Sequence, residues 1–183
     1  MSGSGRLISR VSPFDGRLFR VDVDQVEEPG GVRAEREIVR HRGSVAALAV
    51  HEDGRIVLVR QYRHAVEQSL WELPAGRLDA DETPHQGAGR ELEEEVGLRA
   101  TRLELISDFY TTPGFCDERM YLFRATGLDA VPPRPEPDER LLVRSVDLAE
   151  AVRMIDEGEV REAKTLVAIL LERQRRETQA SGP

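Results

Sequence analysis

The chain has 183 residues, of which 39% are apolar and 33% charged, with a formal net charge of −8. Such a composition suits one soluble globular domain, excludes a wholly disordered chain, and offers no apolar run near the roughly 20 residues that cross a bilayer. The acidic balance disfavours a nucleic-acid partner and means that an anionic substrate needs divalent cations to bridge two like-charged bodies. Cys116 is the only cysteine and cannot form an internal disulfide, and the first sixteen residues lack the apolar core of a secretory signal. The cytoplasm is therefore the expected location, with no membrane partner.

Taken in order, Leu18 to Asp24 alternates in the strand manner. Pro29-Gly30-Gly31 makes a turn, and Val32 to Val39 alternates again. Residues 1–40 thus read as an antiparallel β appendage. Ser44 to His51 and Arg55 to Tyr62 are apolar enough for buried strands, joined by a turn ending at Gly54. A short strand through Leu70 to Leu73 stops at Pro74. Thr83-Pro84 is a strong helix start, and Gly97 is placed to end that helix in a left-handed cap.

Strands are expected at Arg102 to Phe109, Arg119 to Thr126 and Leu141 to Val146. Asp147 is read as capping a helix that ends near Gly158, and Ala163 to Arg175 has helical periodicity. The expected organisation is the appendage, one α+β domain over residues 41–175, and a flexible tail over 176–183.

The residues from Gly76 to Leu98 carry the chemistry. After Gly76 come five residues, Glu82, seven more, and then Arg90-Glu91-Leu92-Glu93-Glu94-Glu95-Val96-Gly97-Leu98. Residues three and four apart share a helix face, so Glu91, Glu94 and Glu95 cluster. Like charges at that spacing cost roughly a few tenths of a kcal/mol per pair. Hard divalent cations, which prefer carboxylate oxygens, would offset the repulsion. Arg90 lies four residues before Glu94 and can hold it or a neighbour. Glu82 can reach back to the same cluster, and the Pro74-Ala75-Gly76 loop allows close backbone approach. A glutamate-rich helix is ordinarily a solvated face, but nine constrained positions over 23 residues set this one apart.

These residues match the signature of the Nudix hydrolase superfamily, and within it the chain most resembles the ADP-ribose pyrophosphatases over roughly Arg40 to Leu171. The branch resemblance rests on four stretches: Tyr62-Arg63 with Leu70 to Gly76; Thr112-Pro113-Gly114-Phe115, with Pro113 sixteen residues after Gly97; Asp117-Glu118; and the acidic loop Glu136-Pro137-Asp138-Glu139. The resemblance implies a mixed β-sheet core sandwiched between helices. It also implies Mg²⁺-dependent hydrolysis of ADP-ribose, and of other ADP-sugars, to AMP and ribose 5-phosphate, with Mn²⁺ able to substitute.

On the same basis, metal contacts fall on the Ala75 carbonyl, Glu91, Glu94, Glu95 and Glu139. Catalytic roles fall on Arg90, Glu94, Glu95, Glu139 and Glu136. Arg63 is expected at the diphosphate or adenine, although a surface salt bridge is an equal alternative, and Leu78 and Gly114 near the terminal ribose. The branch's usual dimer implies a homodimer through the N-terminal strands. The family's two loop glutamates stand one residue apart, a register that here pairs Glu139 with Pro137. The general base is therefore open among Glu139, Glu136 and Glu118. Alternative readings are a Nudix hydrolase acting on a GDP-sugar or NADH, and a non-catalytic ADP-ribose-binding module.

Overall fold

The computed structural model describes residues 4–135 and 140–182, so Glu136 and Glu139 lie outside the described residues. The chain forms two compact units, residues 1–43 with 109–119, and residues 44–108 with 120–183.

In the first unit, β1 (Arg6–Asp15), β2 (Arg20–Glu28) and β3 (Val32–Arg40) make an antiparallel sheet in that order. The β2–β3 turn uses Gly30 and Gly31 at φ 92° and 80°, a left-handed region open to glycine. The sequence pattern anticipated β2 and β3 but not β1. Pro13 interrupts β1 and cannot donate to the ladder, and the pairing with β2 shifts register between Val11 and Phe14 to pass it. All ten β1 residues are exposed, including Leu7, Ile8, Val11 and Phe14.

The buried parity of β2 is the acidic one. Asp22 and Asp24 are solvent-inaccessible, and Arg10, Arg20 and Arg40 converge on them at 2.6–3.2 Å. The post-signature segment belongs to this unit. The Val39 N–H donates to the Phe115 carbonyl at 2.8 Å, and the Asp117 N–H to the Val39 carbonyl at 3.1 Å.

The second unit holds β4 (Ser44–Ala49), β5 (Ile56–Arg63), β6 (Gln68–Glu72), β7 (Ala75–Arg77), α1 (Pro84–Val96), β8 (Leu98–Tyr110), β9 (Arg119–Ala130), β10 (Leu142–Val146), α2 (Leu148–Asp156) and α3 (Ala163–Ala180). Its mixed sheet has the order β7-β4-β9-β8, with β4 parallel to β9 and antiparallel to β7. A second, antiparallel sheet runs β10-β5-β6. Every residue of β4 is buried, and its alanines let α1 lie close against it.

Leu92 of α1 is fully buried with Ala47, Ala49, Val57 and Ala125, a burial that contributes about 2–3 kcal/mol. The helix α3 packs on β6 and α2, and continues to Ala180. The expected tail from residue 176 therefore begins as the last turns of α3. No helix among the described residues is long and apolar enough to cross a membrane.

Candidate active site

Local sequence fixes α1 at both ends. The Thr83 side chain accepts from the Gln86 N–H while the Gln86 side chain accepts from the Thr83 N–H, a capping box with Pro84 at the first helical position. Gly97 closes the helix at φ 64°, and its N–H donates to the Glu93 carbonyl at 3.1 Å. Between these stops the buried face carries Gly87, Ala88, Glu91, Leu92 and Glu95. Two glutamates thus lie on the side that meets the sheet.

Arg90 explains how they are accommodated. Its Nε and Nη2 grip the Glu82 carboxylate at 2.8 and 2.9 Å. Nη1 donates to Glu91 at 2.7 Å and Glu94 at 3.1 Å, and Nη2 also donates to the Arg77 carbonyl at 3.1 Å. A guanidinium has five N–H donors, and here there are five acceptors. The Glu82 hydrogen bonds, then the charge of Glu91 and the hydrogen bonds to Glu91 and Glu94, outweigh burial and hold Arg90 above its ordinary pKa. The same contact with Arg90 holds Glu82 below the usual carboxylate range.

The loop before the helix is equally fixed. The Ala75 N–H donates to Glu95 at 3.0 Å, and the Pro74 carbonyl accepts from Ala47 at 2.9 Å. A Cβ on Gly76 would fall 1.9 Å from a Glu91 carboxylate oxygen, so only glycine leaves this carboxylate where it lies. At the other end, backbone N–H groups of Val131 and Arg134 donate to the Gly97 and Glu94 carbonyls, both at 2.9 Å. The chain entering the acidic loop is therefore tied to the helix that bears the glutamates. A cleft of about 760 Å³ opens here, with Glu95, Tyr62, Arg60, Pro135 and Arg140 in its walls.

The structure brings Ala75, Arg90, Glu91, Glu94 and Glu95 together. Arg63 is placed in a bidentate ion pair with buried Glu72, 2.8 Å for each bond. Leu78 is buried in the core with Val45, Ala88 and Phe123. Gly114 lies in the first unit, beside Phe115 and Cys116. Glu118, the third candidate base, also lies there and accepts from the Thr111 hydroxyl at 2.9 Å.

Sequence reasoning passed over Glu162, Lys164 and Thr165. The Glu162 side chain caps α3, Lys164 pairs with Glu72 at 2.7 Å, and the Thr165 hydroxyl accepts from the Leu73 N–H at 2.9 Å. One signal was available, since Lys164 is the only lysine in the chain.

The donors around α1 suit a hard divalent cation, being three carboxylates and a backbone carbonyl with no sulfur or imidazole. Gly76, having no side chain, leaves the place that the Glu91 carboxylate occupies against the loop. As they stand, no three His, Cys, Asp or Glu side chains among the described residues converge as a metal cage. Glu91 and Glu94 meet on Arg90, while Glu95 turns to Ala75.

Residues 40–168 match the NUDIX domain family. The chain belongs to the Nudix family. Similar proteins include the ADP-ribose pyrophosphatase of Bacillus subtilis (strain 168), 41% identical over 90% of each chain. The ADP-ribose pyrophosphatase of Mycobacterium tuberculosis (strain ATCC 25618 / H37Rv) is 42% identical over 89% of this chain and 80% of that one. The methanol dehydrogenase activator of Bacillus methanolicus is 41% identical over 85% of each. A crystal structure of an ADP compounds hydrolase superposes with a TM-score of 0.84 at 25% identity, covering 97% of this chain and 96% of that one. The fold is the Nudix fold of the α+β class, and the chain is a Nudix hydrolase.

Proposed function

We propose that this Nudix hydrolase cleaves the diphosphate bond of ADP-ribose, releasing AMP and ribose 5-phosphate, with a divalent cation, Mg²⁺ or Mn²⁺, as cofactor. The observation that carries the reading is the Arg90 clamp, which gathers Glu82, Glu91 and Glu94 beside the Gly76 loop. The similarity to two ADP-ribose pyrophosphatases over most of the chain supports this substrate. The intact glutamate set favours catalysis over a binding module.

Glu91, Glu94, Glu95 and the Ala75 carbonyl would hold the cation, with Glu139 a further candidate. When bound it neutralises the diphosphate oxygens and lowers the pKa of the attacking water. The chain's own residues supply the rest. Arg90 orients Glu91 and Glu94, holding both carboxylates through its Nη1 donor. Glu95, joined to the Ala75 N–H, sets the loop carbonyl against the helix. Arg63, half-exposed and anchored on Glu72, presents a guanidinium to the diphosphate. Glu139, Glu136 and Glu118 are the candidates to take the proton from water. Leu78 and Gly114 are the proposed neighbours of the terminal ribose.

Residues 1–40 are proposed as a dimerisation appendage, with the cytoplasm as the place of action. The uncovered apolar side chains of β1 support a homodimer, since a second copy would remove them from water.

The test compares kcat/KM for ADP-ribose, other ADP-sugars, GDP-mannose and NADH, with Mg²⁺ and with EDTA. ADP-ribose is expected to rank first and to depend on the metal. A higher kcat/KM for GDP-mannose or NADH would overturn the substrate.

A further inference from the structure

Lys164 stands apart in composition and in burial. Every other lysine-or-arginine position in the chain is arginine, yet this lysine is almost wholly buried. Its ammonium touches two carboxylates, Glu72 at 2.7 Å and Glu162 at 3.1 Å. Glu72 in turn receives both arms of Arg63, and Arg63 Nη2 and Lys164 Nζ share the oxygen Oε2. Side-chain exposure is 9% for Lys164 and 2% for Glu72, against 39% for Arg63. One cation thus supports the carboxylate from behind while the other faces outward.

Charge and shape explain why this position suits lysine. Glu162 is itself fixed, accepting the Lys164 and Thr165 N–H groups and the Thr165 hydroxyl as the cap of α3. The ammonium must therefore reach two carboxylates from a single atom inside the fold. A compact ammonium with three rotatable donors does this, whereas a planar guanidinium fork needs more room. The four groups sum to zero charge. Removing Lys164 would leave Arg63, Glu72 and Glu162 at a net −1, beside a site meant for an anion. Burial pushes the Glu72 carboxyl up, but Arg63 and Lys164 outweigh it and keep the group below the usual carboxylate range.

The same contacts run into the signature loop. Glu72 and Leu73 are pinned to α3 through Lys164 and Thr165, Pro74 to β4 through Ala47, and Ala75 to α1 through Glu95. Each consecutive residue is held by a helix or strand other than its own.

We propose that Lys164 is a positioning residue for substrate binding, fixing the Glu72 carboxylate that orients Arg63 toward the diphosphate. The inference rests on the reading of Arg63 as a diphosphate contact. Lys164 touches neither substrate nor cation, and acts through Glu72.

The experiment is a double-mutant cycle on the full chain, using K164M, R63A and the double variant. A non-hydrolysable ADP-ribose analogue is titrated calorimetrically with Mg²⁺ present, and KM and kcat are then measured with ADP-ribose and Mg²⁺. Melting temperature reports the fold separately. K164M is expected to raise Kd and KM about tenfold while kcat changes less than about threefold. In the R63A background the same substitution is expected to change Kd less than about twofold, because the residue it acts through is gone.

A Kd that rises by the same factor in both backgrounds would overturn the proposal. So would a Kd unchanged in K164M beside a lowered melting temperature, which marks a purely structural lysine. If K164M does not fold, K164Q, which keeps a polar stem without the charge, takes its place with the same expectations. Wild-type protein that neither binds the analogue nor turns over ADP-ribose with Mg²⁺ would overturn the substrate reading first, and the proposal with it. Since wild type is measured alone, the two failures are distinct.

Discussion

At the scale of single residues, two arginine-centred clusters carry most of the charge logic. Around Arg90, two glutamates of α1 and Glu82 from the turn before it are collected by one guanidinium. Around Asp22 and Asp24 the signs are reversed, and three arginines neutralise two buried carboxylates. The first cluster was legible in the sequence, because helical spacing puts Arg90, Glu91 and Glu94 within reach. The second was not. Alternation in β2 marks two parities without saying which is buried, and the partners Arg10 and Arg40 come from neighbouring strands. Gly76 offers the sharpest residue-scale prediction. Since a Cβ there would collide with the Glu91 carboxylate, Gly76→Ala should displace that group by an ångström or more. A displacement of that size costs about a hundredfold in kcat, with little change in melting temperature because the moving atoms end a flexible side chain. A kcat within twofold of wild type would show that the Glu91 position is immaterial.

At the scale of elements, α1 is the part most fully written in local sequence. Thr83, Pro84, Gln86 and Gly97 specify its ends without help from the rest of the chain. The strands β4 and β5 were equally readable, as apolar runs bounded by turn residues. Elements that depend on tertiary partners were harder to see. The strand β1 is broken by Pro13, and β7 is three residues held by pairing with β4. The final turns of α3 have no apolar periodicity, yet Arg173–Glu177 pairs at i,i+4 within them. Gly97 joins local and distant demands. Its φ of 64° already favours glycine, and a Cβ would lie 2.6 Å from the Val131 carbonyl oxygen. Gly97→Ala is predicted to cost at least about 2 kcal/mol in urea unfolding. A loss below roughly 0.5 kcal/mol, the size expected of a surface substitution, would contradict that reading.

At the scale of the whole molecule, buried ion pairs set the response to pH. Burial raises the pKa of Glu172, but its bonds to Arg124 and Arg176 prevail and hold it below the usual range, as Arg63 and Lys164 do for Glu72. The Arg10 hydrogen bonds lower Asp24 against the opposing effect of burial. A carboxylate depressed in the folded state adds stability that is fully present above its unfolded value, near about 4, and is lost as pH falls through the folded value. Urea midpoints should therefore stay level from neutral pH down to about pH 5 and fall steeply below about pH 4. A midpoint that rises on acidification would refute the sign.

The whole chain also shows what a signature motif leaves open. The glutamate helix identifies the reaction class because its chemistry is local. Substrate orientation is proposed to depend on Arg63, Glu72 and Lys164, which come from three separate elements. The central claim is that the glutamates of α1 bind the cation that drives hydrolysis. Its most direct test is AMP release from ADP-ribose by wild type and Glu94→Gln across a Mg²⁺ titration. Wild type should release AMP only with Mg²⁺, and the variant should lose about a thousandfold or more in kcat at saturating metal. AMP release by wild type in EDTA, or near-normal turnover by Glu94→Gln, would contradict the account.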